Sequence, residues 1–119
     1  MADRQFIDNT CKGTPYDNLC LSILLPDLKS QNTDLTSLAL IAVNAVKNRG
    51  IQTQQQIQAL KNSRPEFTAT LVKCAEMYNA LVTVDVPLSI NALNGGDPKF
   101  AEGGMADSNL ESLACERSF

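Results

Sequence analysis

The sequence contains no histidine, and this absence removes the most common means of catalysis and metal binding. Histidine is the side chain most often used as a general base near neutral pH, and it occurs nowhere in the 119 residues. It also lacks the Gly-x-Ser-x-Gly elbow of hydrolases. Phosphate-binding glycine loops follow a β-strand, whereas no strand is predicted before Gly95-Gly96 or Gly103-Gly104. We therefore predict that the protein is not an enzyme and holds no metal or other cofactor.

Long apolar runs and clusters of positive charge are also missing. The longest apolar stretch, around Leu38 to Val43, is far shorter than the roughly 20 residues that span a bilayer. The net charge is −3 and the lysines are scattered, so no basic stripe could track a phosphate backbone. We expect neither a membrane nor a nucleic acid as partner. The residues after Met1 are polar, so we expect any secreted form to be a mature chain with an added initiator methionine.

The cysteines are the strongest positive feature of the chain. They are Cys11, Cys20, Cys74 and Cys115. Eight residues separate the first two and forty separate the last two, whereas zinc sites place ligands two to four residues apart. An even count in a short chain favours disulfides and an oxidising compartment; the alternative is four reduced, buried thiols. Three pairings are open, and Gly13 with Pro15 favours a turn that lets the first two cysteines face each other.

Apolar residues recur at helical spacing and strict alternation is almost absent, which predicts an all-α protein. We predict a first bundle helix over 34–49, capped by Asn32, Thr33 or Asp34 and closed by Gly50. A second segment covers 51–84, with a break before Pro65.

The C-terminal third is punctuated by glycine and proline. Asp85 is predicted to cap a short continuation that ends at Asn94-Gly95-Gly96. The last segment, 97–118, has Asp97 as its cap and Pro98 as its first residue. Gly103 and Gly104 predict that this helix is broken or loose.

Together these segments predict one domain over 1–119, with an N-terminal hairpin at 1–30 and an antiparallel up-and-down bundle at 31–119. Three amphipathic stripes commonly need a fourth helix to cover their seam, and we expect the last bundle helix to be missing from this sequence. The seam is closed by the hairpin or by a second copy of the chain, which would give a homodimer.

The residue pattern resembles the plant invertase and pectin methylesterase inhibitor family over nearly the whole chain. The matching residues are Cys11-x8-Cys20, Asp34-Leu35-x2-Leu38-Ala39-x-Ile41-Ala42, Leu71-x2-Cys74-x3-Tyr78, Asp97-Pro98-Lys99-Phe100 and Cys115. The stretch from Gly96 to Glu102, followed by Gly104-Met105, is similar to cell-wall invertase (β-fructosidase) inhibitors in particular.

This resemblance implies a four-helix bundle with a helical hairpin and disulfides that pair Cys11 with Cys20 and Cys74 with Cys115. It implies secretion to the apoplast and cell wall, with the vacuole as a second location. It also implies a protein partner, an acid invertase of the glycoside hydrolase class. Carried over to this sequence, Pro98, Lys99 and Phe100 occlude the sucrose pocket of that enzyme, and Asp97 belongs to the same turn.

The chemistry of the turn fits such a target. A glycosidase pocket contains paired carboxylates, so its entrance attracts a cation such as Lys99. Phe100 would add an aromatic anchor, and Pro98 would restrict the turn before binding. From spacing alone, an exposed first-turn lysine and a core aromatic describe Lys99 and Phe100 better; the resemblance reverses that preference.

Other functions stay open on the sequence. A pectin methylesterase inhibitor would bind through the helix faces around 36–49 and 66–82. A truncated isoform would inhibit nothing, and a small carrier would enclose an apolar ligand. The carboxylates Asp85, Asp97, Glu102, Asp107 and Glu111 lie on different turns, so we interpret them as caps and solvated faces.

Overall fold

The computed structural model describes residues 4–26 and 34–119, and the regular structure within these ranges is helical. Its α-helices are α1 (Arg4–Lys12), α2 (Asp17–Leu24), α3 (Leu35–Ser63), α4 (Thr68–Ala80), α5 (Val86–Asn94) and α6 (Pro98–Arg117). The predicted all-α class, with its N-terminal hairpin and two disulfides, is confirmed. The predicted caps Asn32 and Thr33, and the predicted boundary between residues 30 and 31, lie outside the described residues.

The chain divides into two compact units, residues 1–45 and 46–119. In the first unit, a disulfide joins Cys11 on α1 to Cys20 on α2, so the two short helices form a clipped hairpin. Its buried residues are Ile7, Cys11, Leu24 and Leu38. Helices of eight and nine residues are marginal alone in water, and the disulfide with this small core compensates for their length.

Asp34 is the cap of α3, as one of the sequence alternatives predicts. Its Oδ1 accepts a hydrogen bond from the Ser37 backbone N–H at 2.9 Å, and its carbonyl accepts one from Leu38 N at 3.1 Å. The bond from the Ser37 backbone N–H lowers the pKa of Asp34 below its ordinary value. The carboxylate therefore satisfies one of the unpaired N–H groups in the first turn.

The second unit is built from the rest of α3 and from α4, α5 and α6. Ile57, Leu71 and Cys74 form a buried cluster, against which Ala75, Tyr78 and Cys115 pack. A disulfide joins Cys74 on α4 to Cys115 on α6. Helix α6 packs against both α4 and α5. The helix break predicted before Pro65 is confirmed, because α3 ends at Ser63.

The predicted helix end at Gly50 is wrong, because α3 continues unbroken through it to Ser63. Gly50 is buried, and a Cβ at this position would lie 2.8 Å from Val82 Cγ2 and 3.0 Å from Leu81 Cδ2. The glycine therefore allows a close approach between two parts of the second unit. This packing offsets a loss of about 1 kcal/mol in helix propensity.

The prediction that Asp85 caps a new helix is also wrong. A π-helical turn, Leu81–Asp85, joins α4 to α5 without a break, and Asp85 makes no capping bond. Pro87 has no N–H that could donate to the carbonyl of residue 83, and in a regular α-helix its ring would clash with that carbonyl. The Val86 N–H instead bonds Leu81 O, and this wider turn accommodates the proline.

Helix α6 is continuous from Pro98 to Arg117, so the predicted break at Gly103 and Gly104 does not occur. A Cβ on Gly103 would meet nothing within 4 Å, whereas one on Gly104 would overlap the Ser89 hydroxyl. Only the second glycine is required by packing. Of the helices in the described ranges, none combines the length and apolar composition needed to cross a bilayer.

Candidate functional site

The turn between α5 and α6 is fixed at its first end by a Schellman motif. Gly96 has φ of 79°, in the left-handed region that favours glycine. Its N–H donates to Leu93 O at 3.2 Å, and the Asp97 N–H donates to Ala92 O at 2.8 Å. These two bonds satisfy the last carbonyls of α5. The predicted helix end at Asn94-Gly95-Gly96 is thus confirmed.

Asp97 fixes the other end of the same turn. Its Oδ1 accepts a hydrogen bond from Phe100 N at 3.1 Å, and its carbonyl accepts one from Ala101 N at 3.2 Å. Pro98 follows as the first residue of α6, where its missing N–H has no intrahelical partner to lose. Asp97 therefore ends one helix and caps the next, which leaves the turn little conformational freedom.

Lys99 and Phe100 project from this turn into solvent. The Lys99 side chain is 89 % exposed, and Nζ lies 3.6 Å from Glu102 Oε2. Such an exposed pair contributes little to stability, so the ammonium is available to another partner. Phe100 is 57 % exposed and is therefore not a core aromatic. An exposed cation and an exposed aromatic ring stand side by side on a rigid turn.

An open groove of about 450 Å³ lies beside the turn. Its lining residues are Leu88, Asp97, Lys99, Phe100, Gly103, Gly104 and Asp107. Leu88 is 44 % exposed and extends the apolar surface of Phe100 onto α5. Leu88 could not be predicted from the sequence, because the packing of α5 against α6 that places it beside Phe100 is tertiary.

Behind the turn, α5 and α6 are joined by a buried polar cluster. The Ser89 hydroxyl, fully buried, donates to Ala101 O at 3.1 Å. The Ser108 hydroxyl lies 3.1 Å from Gly104 O and 3.4 Å from Asp85 Oδ2. Asp85 is only 6 % exposed. These bonds hold the start of α6, and hence the turn, against the π turn and α5.

Glu111 completes this cluster one turn further along α6. Burial, the interaction with Asp85 and the negative charge of Asp107 raise the pKa of Glu111 to about 7. The interpretation of Asp85 as a cap is therefore wrong, and the face that carries Glu111 is solvated only in part, because its Oε2 atom is buried. The fold brings the two carboxyl groups together, although they lie on different helical segments.

Comparison with known proteins agrees with this architecture. A profile of the family described as "Plant invertase/pectin methylesterase inhibitor" matches residues 5–118. The chain belongs to this family. Its members are proteinaceous enzyme inhibitors rather than enzymes. Within the described residues, no group of three or more acidic or cysteine side chains is placed to hold a metal ion.

Two relatives show how far the likeness extends. The chain is 35 % identical to "Cell wall / vacuolar inhibitor of fructosidase 1" of Arabidopsis thaliana over all of its own length and 58 % of the relative's. It thus spans little more than half of that relative. The crystal structure of a pectin methylesterase inhibitor from the same plant superposes with a TM-score of 0.67 at 17 % identity, covering 98 % of this chain and 76 % of the other. This second likeness shows a shared fold.

The predicted turn residues are neighbours in the structure. Asp97, Pro98, Lys99 and Phe100 lie together on the α5–α6 turn, the first as a cap and the last two exposed. The four cysteines form the two disulfides already described, Cys11 with Cys20 and Cys74 with Cys115. The role of the turn residues in binding a target stays a prediction.

Proposed function

We propose that the protein inhibits a plant acid invertase by placing the turn Asp97-Pro98-Lys99-Phe100 in the entrance of the sucrose pocket. The observation that carries this proposal is the exposure of Lys99 and Phe100 on a turn fixed at both ends. The 35 % identical relative is named as an inhibitor of fructosidase, which supports the same class of target.

The electrostatics of the turn suit a glycosidase. Such enzymes use two carboxyl groups, at least one of them ionised, so the pocket is negative at its entrance. Lys99 brings a compact positive charge on a long flexible stem. Its interaction with Glu102 is exposed and weak, so little is lost when the ammonium leaves it for a buried carboxylate.

Phe100 and the rigidity of the turn supply the rest of the affinity. An aromatic ring that enters a pocket buries a large apolar area and commonly acts as a binding hot spot. Because Asp97 and Pro98 already hold the backbone, binding incurs little ordering entropy. Leu88 beside the ring would cover the rim of the enzyme pocket.

The partner and location follow from the same proposal. The two disulfides suit an oxidising compartment, and the relative is named as a cell wall or vacuolar protein. We infer secretion to the cell wall or apoplast, or delivery to the vacuole, where acid invertases hydrolyse sucrose. Self-association through an uncovered bundle face stays a prediction, and sedimentation across a wide concentration range tests it.

The test is sucrose hydrolysis by a purified cell-wall invertase with increasing amounts of the protein. A plug in the sucrose pocket competes with substrate, so the apparent KM rises while kcat stays constant. Unchanged hydrolysis, or a fall in kcat at constant KM, would contradict occlusion of the pocket. Parallel assays of pectin methylesterase and of fluorescent fatty acid uptake test the helix-face inhibitor and the apolar-ligand carrier. The inactive isoform predicts no effect in any assay.

A further inference from the structure

The buried Asp85 meets a partly buried Glu111 in the second unit, and no cation is paired with either of them in the described ranges. Asp85, at the end of the π turn, is 6 % exposed and accepts a weak hydrogen bond from Ser108. Glu111 on α6 interacts with Asp85, and its Oε2 atom is buried with no hydrogen-bond donor. A buried carboxylate oxygen without a donor is unfavourable, so the burial of Oε2 favours the neutral form of Glu111.

The charges around Glu111 make the arrangement more unfavourable still. Among the described residues, the charged groups that act on it are Asp85 from the π turn and Asp107 from its own helix, both acidic. The ion pairs formed by lysine and arginine in the described ranges lie elsewhere: Arg4 with Asp8, Arg64 with Glu66, and Lys99 with Glu102. No lysine or arginine in the described ranges is paired with Asp85 or Glu111, so a second negative charge beside Asp85 is not neutralised.

One proton resolves both problems. A protonated Glu111 donates to an oxygen of Asp85, which gives its buried oxygen a hydrogen bond and removes one of the two charges. We propose that Glu111 carries a proton in acid and donates it in a hydrogen bond to Asp85, and that loss of this proton loosens α6 from the π turn and α5. The device is a carboxyl–carboxyl hydrogen bond that adds to the other contacts between these segments while Glu111 is protonated.

The direction of the pH effect follows from linkage. The pKa of Glu111 rises from its ordinary value of 4.5 to about 7 in the folded protein. Between these pH values the unfolded chain releases the proton while the folded chain keeps it. Stability of the folded state therefore falls as pH rises from about 4.5 to 7, and is constant with respect to this group outside that window.

The position of the pair connects it to the turn. Ser108 contacts both Asp85 and Gly104, and the residues that follow Asp97 form the start of the same helix α6. If the proposed function holds, the turn is presented most rigidly at the acid pH of the cell wall and less so near neutrality. This consequence rests on the proposed function, whereas the protonation of the pair does not.

The test is the melting temperature between pH 4.5 and 7.5 for the wild type, Glu111→Gln and Glu116→Gln. Glutamine imitates a protonated Glu111. As pH rises to 7.5, we expect Glu111→Gln to keep its melting temperature, while the wild type and the exposed-site control Glu116→Gln each lose several degrees. An equal loss in all three proteins would overturn the proposal.

A direct titration tests the same claim without any variant. In ¹³C NMR spectra of the wild type, we expect one glutamate carboxyl to titrate with a midpoint near 7. Midpoints below 5 for every glutamate would overturn the proposal even if Glu111→Gln failed to fold. Neither measurement uses invertase, so failure here is separate from failure of the proposed inhibition.

Discussion

Gly104 on α6 lies directly against Ser89 on α5, so closely that a Cβ on the glycine would overlap the serine hydroxyl and come within 3.0 Å of Asp85 O. Ser89 is fully buried and bonds the Ala101 carbonyl of the same helix α6. The distance between the two helices at this point is therefore set by the absence of a side chain. Since these helices carry the turn, the glycine helps to fix its geometry.

The neighbouring glycines provide a matched pair of substitutions. Gly104→Ala should destabilise the protein by about 1–3 kcal/mol, because the new methyl group overpacks the contact with Ser89. Gly103→Ala should stabilise it by up to about 1 kcal/mol, because the methyl group meets open space and alanine favours a helix. Denaturant unfolding of both variants measures the difference. Equal effects in the two variants would show that α5 and α6 do not meet as closely as described.

Removal of the Asp97 cap should weaken both the helix and the turn. Asp97→Ala loses the bond to Phe100 N and should reduce stability by about 1 kcal/mol. It should also weaken invertase inhibition, because a more flexible turn is ordered only on binding. Asp97→Asn keeps a capping oxygen and serves as the control. Inhibition that is lost equally in both variants would indicate that the charge of Asp97, rather than its cap, is what the enzyme recognises.

The disulfide between α4 and α6 should be a major source of stability. Cys74→Ala with Cys115→Ala opens a loop with a sequence separation of 41 and should lower stability by about 4 kcal/mol in the chain-entropy account. Cys11→Ala with Cys20→Ala opens a loop with a separation of nine, so the loss should be smaller. Thermal melts of each double variant, with and without reductant, measure both. A reduced wild type that melts at the oxidised temperature would contradict this prediction.

The sequence predicted the elements that depend on local pattern. Apolar spacing located the helices, and the cysteine count indicated disulfides. Asn94-Gly95-Gly96 predicted the end of one helix, and Asp97-Pro98 predicted the beginning of the next. Glycine was ambiguous, because the residue that ends a helix is also the one that lets two helices touch. Gly50 and Gly104 proved to be of the second kind. The residues next to a glycine in the sequence do not distinguish these two roles.

Contacts between distant residues could not be predicted. Asp85 and Glu111 look like ordinary surface acids in sequence, and the packing of α6 on the π turn buries Asp85 and one oxygen of Glu111. The exposure of Phe100 was likewise uncertain, since an aromatic in the first turn of a helix is more often part of the core. In the structure Phe100 is 57 % exposed, because it lies in the first turn of α6 beside the open groove.

The most direct test of the account compares two double variants in the invertase assay. Lys99→Ala with Phe100→Ala removes the exposed cation and ring from the turn, whereas Lys12→Ala with Leu19→Ala removes a similarly exposed pair from the N-terminal hairpin. The account predicts that the turn variant folds but loses at least about tenfold in inhibition, equal to about 1.4 kcal/mol, while the hairpin variant inhibits like the wild type. Full inhibition by a folded turn variant would contradict the central claim.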